Sequence, residues 1–112
     1  MKPVRWRAQA KRDVAAAAAW YAGQGGLALE LAFIDAVANT EKMLAEFPAI
    51  GSMHHAAWVD GLAGPLRFHP LPGFSRHLFY YIDLPTHIDV IRIWGATRGL
   101  QALLDSTISD LD

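Results

Sequence analysis

Residues 66–94 constrain the fold more than any other stretch of the chain. They contain three runs of apolar, β-branched or aromatic residues, and Pro and Gly separate each run from the next. Such runs predict β-strands joined by short turns. Turns this short permit only antiparallel neighbours, because a parallel crossover needs a dozen or more residues. The sequence therefore predicts a three-stranded meander with strands over 66–71, 74–83 and 87–94.

The residues ahead of the meander predict a short strand and two helices. Apolar and charged residues alternate over 4–7, which indicates a strand. Apolar residues then recur at helical spacing over 8–22 and again over 27–47. The Gly-rich residues 23–26 favour a turn between the two helices, and Pro48 ends the second. Two antiparallel helices joined in this way form a helical hairpin.

Together these elements predict one α+β domain over residues 1–112, a length that suits a single core. Residues 49–64 show little pattern and indicate a loop. Leucine and isoleucine residues at helical spacing after residue 99 predict a C-terminal helix. The expected order is β-α-α-β-β-β-α, with the hairpin packed on one face of a small, mainly antiparallel sheet.

The composition excludes several classes of function. Ten basic and eleven acidic residues give a net charge of −1, which argues against binding to nucleic acid mainly through charge. The absence of cysteine excludes disulfides and thiolate chemistry and suits a reducing compartment. We see no signal-peptide pattern and no apolar stretch of membrane-spanning length. The sequence thus predicts a soluble cytoplasmic protein without a membrane segment.

Neither a metal nor a cofactor is expected. His54 and His55 are adjacent in a predicted loop, and neighbouring histidines rarely converge on one ion without further ligands. The Gly-rich residues 23–26 follow a helix and not a strand, so they do not form a phosphate-binding loop.

Arginines in and after the meander are the main candidates for function, because charged residues within strands are unusual. One sheet face should pack on the hairpin, which leaves the other face for a partner. The candidate cations are Arg67, Arg76, Arg92 and Arg98. The alternative is that they lie over aromatic rings or pair with acidic residues of the same domain, namely Asp60, Asp83 and Asp89.

Four segments carry a pattern that matches a known family in order and spacing. They are Val4-Arg5-Trp6 before the alanine-rich helix, residues 43–51 with their helix end, Pro48 and apolar-Gly turn, Leu66-Arg67 with residues 76–81, and residues 88–94 followed by Arg98. With this pattern the chain resembles the ParE branch of the ParE/RelE toxin superfamily, the toxic halves of bacterial toxin–antitoxin pairs. The resemblance covers a core of residues 1–100 and leaves 101–112 as a tail.

The resemblance implies a toxin that inhibits DNA gyrase by binding, without chemistry of its own, and that a ParD-like antitoxin neutralises. Direct binding to nucleic acid is not expected outside the antitoxin complex. Antitoxins of this family wrap the toxin with a helix and an extended segment. Aromatic anchors for the partner are predicted, in addition to the arginines, at Trp6, Trp58, Tyr81 and Trp94.

Two alternatives stay open. The RelE branch cleaves ribosome-bound messenger RNA, which requires a general acid, a general base and cations. Side chains that could supply the acid or base are His69, His77, Tyr81 and His87. Many relatives carry a His directly after the last strand, where this chain has Gly95, and this favours binding over cleavage. The other alternative is an inactive homologue that only binds an antitoxin.

Overall fold

The computed structural model describes residues 1–58, 61–96 and 99, with the backbone alone at residue 58, and has an α+β fold. The predicted strands over 66–71 and 74–83 are confirmed, and the last strand lies one residue further along than predicted. The predicted C-terminal helix falls outside the described residues. The elements are β1 (Val4–Trp6), α1 (Ala8–Glu46), two 3₁₀ helices (Pro48–Ile50 and Ala56–Trp58), β2 (Leu66–Leu71), β3 (Phe74–Asp83) and β4 (Ile88–Gly95).

The four strands form one mixed sheet in the order β1-β4-β3-β2. The meander β2-β3-β4 is antiparallel as predicted, and β1 pairs in parallel with β4. The register between β3 and β4 shifts because Tyr80 pairs with Arg92 whereas Tyr81 pairs with Val90. Ile91 is therefore the extra residue of a β-bulge, which bends and twists the strand locally.

In place of the two separate helices predicted, the structure has one helical segment, α1, which is kinked within the predicted turn. Only Gly25 and Gly26 leave the helical region within it, and Gly26 has a φ of 72°. The chain nevertheless reverses there: the Tyr21 and Phe33 ring centroids are 5.0 Å apart, whereas a straight helix would separate these residues by about 18 Å. Residues 8–24 and 27–46 are the first and second arms of α1.

The two arms cover one face of the sheet. Side chains from the second arm, such as Phe33 and Leu44, pack with Phe79 and Tyr81 of β3 and with Val90 of β4. All of these residues are buried. Apolar burial on this scale is the dominant favourable term in folding, and it fixes the arms against the central strands.

The opposite face of the sheet is not left open, contrary to the sequence-based expectation. A second apolar cluster covers it, and its fully buried members are Leu66, Tyr80, Ile82, Ile91 and Trp94. Leu62, from the segment before β2, packs against this cluster. Among the described residues, the apolar side chains at the centre of this face are therefore not exposed to a partner.

Candidate functional site

The sequence predicted that Arg92 projects from an exposed surface, but the structure places its side chain in the interior. Its side chain is 2% exposed and forms a bidentate ion pair with Asp13 of α1, with Nε–Oδ2 and Nη2–Oδ1 distances of 2.7 and 2.8 Å. The guanidinium also lies 4.7 Å from the centre of the Trp94 ring. Arg92 therefore joins helix and sheet through Asp13, a residue that was not among the acidic partners considered from the sequence.

The position of Asp13 follows from the end of β1. That strand stops at Trp6, opposite Val90, so the edge of β4 beyond this point has no neighbouring strand. The carboxylate of Asp13 accepts the Ile93 backbone N–H at 3.1 Å. It thus supplies the acceptor that a longer β1 would have given, and buried backbone N–H groups require such an acceptor.

Arg67 and Tyr81 both hold the turn that follows α1. Arg67 Nη1 donates to the carbonyls of Ala49 and Gly51, both at 3.0 Å. The Tyr81 hydroxyl donates to the Pro48 carbonyl at 2.7 Å and accepts the Gly51 N–H at 2.9 Å. Burial raises the pKa of Tyr81, so its hydroxyl keeps the proton for this bond. Tyr81 is itself buried and is not an exposed aromatic anchor.

Arg76 is the candidate cation that fits an interaction role. It is exposed and, within the described part of the chain, has no ion-pair partner. It lines a groove of about 870 Å³ between the first arm of α1 and the ends of β3 and β4, together with Trp20, Tyr21 and His77. This volume falls within the range of ligand-binding clefts.

The candidate acid–base residues do not converge on one place. His77 Nδ1 lies 3.2 Å from the Tyr21 hydroxyl in the groove, and burial lowers the pKa of His77. His69 Nδ1 donates to the Pro70 carbonyl at 2.7 Å, and His87 Nδ1 lies 2.9 Å from the Thr86 hydroxyl. Of these candidates, His77 lies in the same groove as Arg76.

His55 has a role that the sequence did not indicate. Its ring stacks on Phe68 at a centroid distance of 4.5 Å, and its Nδ1 lies 2.8 Å from the Tyr80 hydroxyl. Burial raises the pKa of Tyr80 to about 12, so the phenol is a proton donor. Burial and the neighbouring His54 lower the pKa of His55, so the neutral ring accepts a hydrogen bond from this hydroxyl and fixes the segment before β2 to the sheet.

The tryptophans occupy different environments. Trp6 is half-buried, its Nε1–H donates to Glu41 Oε1 at 3.0 Å, and it lines a groove of about 340 Å³ between the two arms of α1. Trp94 is buried in the second apolar cluster and donates to the Gly99 carbonyl at 3.3 Å. The side chain of Trp58 and all of Arg98 lie outside the described residues.

A family model described as the ParE toxin of the type II toxin–antitoxin system, parDE, matches residues 4–99. The chain belongs to the ParE toxin family. The match takes in β1 to β4, and with it every element described above. No curated protein matches the chain.

Sequence reasoning missed two exposed apolar surfaces of this ParE-family toxin. One is a stripe along the second arm of α1, formed by Leu27, Leu31 and Ile34. Their i, i+4, i+7 spacing could have revealed it, because such residues share one helix face. The other surface is the turn after α1, where Phe47, Ile50 and Met53 are exposed.

The described residues of the ParE-family domain contain no group of three or more His, Asp or Glu side chains placed to hold a metal ion. None of their helices is long and apolar enough to cross a membrane.

Proposed function

We propose that this toxin of a type II toxin–antitoxin system inhibits DNA gyrase by binding, that a ParD-like antitoxin neutralises it, and that it acts in the cytoplasm. The observation that carries the proposal is the ParE family match over residues 4–99. The family match identifies the chain as the toxin of such a pair. Gyrase as the target and a ParD-like protein as the antitoxin are our proposal.

The placement of the polar residues supports binding over chemistry. The Tyr81 hydroxyl is occupied by two backbone partners, and His69 and His87 bond to their sequence neighbours. General acid–base catalysis needs both groups within reach of one reacting site. The candidates named from the sequence do not meet this requirement.

The antitoxin surface in this proposal is the apolar stripe on the second arm together with the adjoining Trp6 groove. Ile34 belongs to both, and Lys11 and Glu41 of the groove offer one charge of each sign. An amphipathic antitoxin helix would place apolar residues over Leu31 and Ile34 and charged residues beside these two. The predicted partner contacts at Trp6 and Arg76 remain proposals, as do those at Trp58 and Arg98.

Cleavage of messenger RNA is the second candidate, and one observation favours it. His77 and Tyr21 form a close pair in the groove that Arg76 also lines. These residues could supply a general base, a general acid and a cation for a phosphate. In that case His77→Gln would abolish toxicity without changing antitoxin binding.

The deciding experiment is supercoiling of relaxed plasmid by purified gyrase, with and without the purified toxin. Inhibition that the cognate antitoxin reverses is expected, and His77→Gln should inhibit as strongly as the unmodified protein. Expression alone should arrest growth with an SOS response. Unimpaired gyrase together with cleaved ribosome-bound messages would establish the RNA-cleaving alternative, and no effect in either assay would establish an inactive antitoxin binder.

A further inference from the structure

The turn after α1 is exposed and carries no charge. Residues 47–53, here named the apolar turn, read Phe-Pro-Ala-Ile-Gly-Ser-Met. Phe47, Ile50 and Met53 are 60%, 53% and 50% exposed. Phe47 and Ile50 flank one turn of 3₁₀ helix, where residues i and i+3 lie on the same side. An exposed segment with large apolar side chains and no charged neighbour within it is typical of an interaction site.

Side chains of β2 and β3 hold the backbone of the apolar turn in place. Arg67 and Tyr81 together donate to three carbonyls of the turn, those of Pro48, Ala49 and Gly51, and the Tyr81 hydroxyl also accepts the Gly51 N–H. These two residues were predicted as partner contacts from the sequence. Their geometry makes them positioning residues for the turn.

Two further features make the apolar turn rigid. Ser52 exchanges both backbone hydrogen bonds with Phe68 of β2, at 2.8 and 3.0 Å. The backbone of Gly51 approaches the Tyr81 hydroxyl so closely that a Cβ at this position would lie 2.4 Å from its oxygen. Glycine is therefore required at position 51, and these contacts restrict the backbone of the turn.

We infer that the apolar turn is the surface with which the toxin binds its target, and that Phe47 and Ile50 insert into an apolar pocket of a folded target protein. The inference rests on the proposed function, because it requires a target that is inhibited by binding. A preorganised apolar turn loses little conformational entropy on binding, which favours affinity. A rigid, exposed turn suits a preformed pocket, whereas a flexible antitoxin segment suits the grooves and stripe of α1.

The test separates the two surfaces by matched apolar-to-serine variants. Phe47→Ser/Ile50→Ser removes the apolar turn's side chains, and Leu31→Ser/Ile34→Ser removes the same kind of exposed side chain from the stripe. Each protein is assayed for inhibition of purified gyrase, for growth arrest on expression, and for affinity to the purified antitoxin. Circular dichroism and thermal unfolding check that each variant folds.

The turn variant should require a roughly 30-fold or higher concentration for half-inhibition of gyrase, as expected for loss of binding hot spots. It should no longer arrest growth, and its antitoxin affinity should be unchanged. The stripe variant should inhibit gyrase as the unmodified toxin does and escape the antitoxin. Tyr81→Phe, which keeps the ring and loses the hydroxyl's bonds, should weaken inhibition several-fold while antitoxin affinity stays the same.

Several outcomes would overturn the inference. One is a turn variant that inhibits and arrests growth as the unmodified protein does, and another is an equal loss of antitoxin binding, which would make the turn an antitoxin contact. If the unmodified toxin leaves gyrase unaffected, the gyrase assignment fails. Growth arrest then decides between two outcomes. If the unmodified chain and the stripe variant arrest growth and the turn variant does not, the inference holds for another target. If the unmodified chain does not arrest growth, the inference is overturned.

Discussion

The Asp13–Arg92 ion pair is the feature that local sequence patterns could not predict. The two residues lie 79 positions apart, and their meeting depends on where β1 ends. One signal was present: Asp13 lies on the helix stripe that includes the buried residues Ala10 and Ala18. A lone carboxylate on a buried stripe indicates a cation elsewhere in the fold, because charged groups are rarely buried unpaired.

Removing one partner of this buried pair should be costly. Asp13→Ala deletes the carboxylate that balances Arg92 and accepts the Ile93 N–H, so the free energy of unfolding should fall by about 3–5 kcal/mol. The matched control is Arg7→Ala, which breaks a more exposed pair with Asp89 and should cost about 1 kcal/mol or less. Urea unfolding followed by tryptophan fluorescence measures both. Equal losses would contradict a special role for the buried pair.

At the scale of elements, the strands of the meander were predictable because their signal is local. The apolar runs and their Pro and Gly boundaries place β2 and β3 at the predicted residues. The cover over the second sheet face was not predictable, since it comes from His55 and Leu62 in a segment with no periodicity. Arg67 and Tyr81 were predicted as partner contacts, and their bonds to the apolar turn were not predictable because they depend on tertiary distances.

The reversal within α1 makes a prediction that contrasts two glycines. Gly26 has a φ of 72° and a ψ of −164°, a backbone region essentially confined to glycine, where a residue with a Cβ pays about 1–3 kcal/mol. Gly23 lies in regular helix, and a Cβ there would meet nothing within 4 Å. Gly26→Ala should therefore lower the free energy of unfolding by about that amount, and Gly23→Ala should raise it by up to about 1 kcal/mol. Chemical unfolding of both variants in parallel measures the difference, and the same sign for both would refute this account of the reversal.

For the whole molecule, two histidines make stability depend on pH. Burial lowers the pKa of both His55 and His77 from 6.5. The unfolded chain therefore binds more protons than the folded one just below pH 6.5, and the free energy of unfolding must fall as the pH decreases through this range. Unfolding between pH 5 and 7 should show that slope, and His55→Gln/His77→Gln should flatten it. An unchanged slope in the double variant would contradict the assignment.

Within the described part of the chain, the arms of α1 cover one face of the sheet, and the side chains of the other face lie in the second apolar cluster. The surfaces proposed for partners are the groove beside Arg76, the stripe on the second arm with the adjoining Trp6 groove, and the apolar turn. A toxin that must bind both an inhibitor and a target can thus present them different sides of one small domain.

The place of β4 has a consequence for synthesis. This strand is made last among the four, yet it lies inside the sheet between β1 and β3. Until the ribosome has synthesised the residues from 88 onwards, the nascent β1 has no strand to pair with. Pairing between strands so distant in sequence is intrinsically slow. Chains that terminate before β4 should therefore remain unfolded and lack the binding surfaces proposed above.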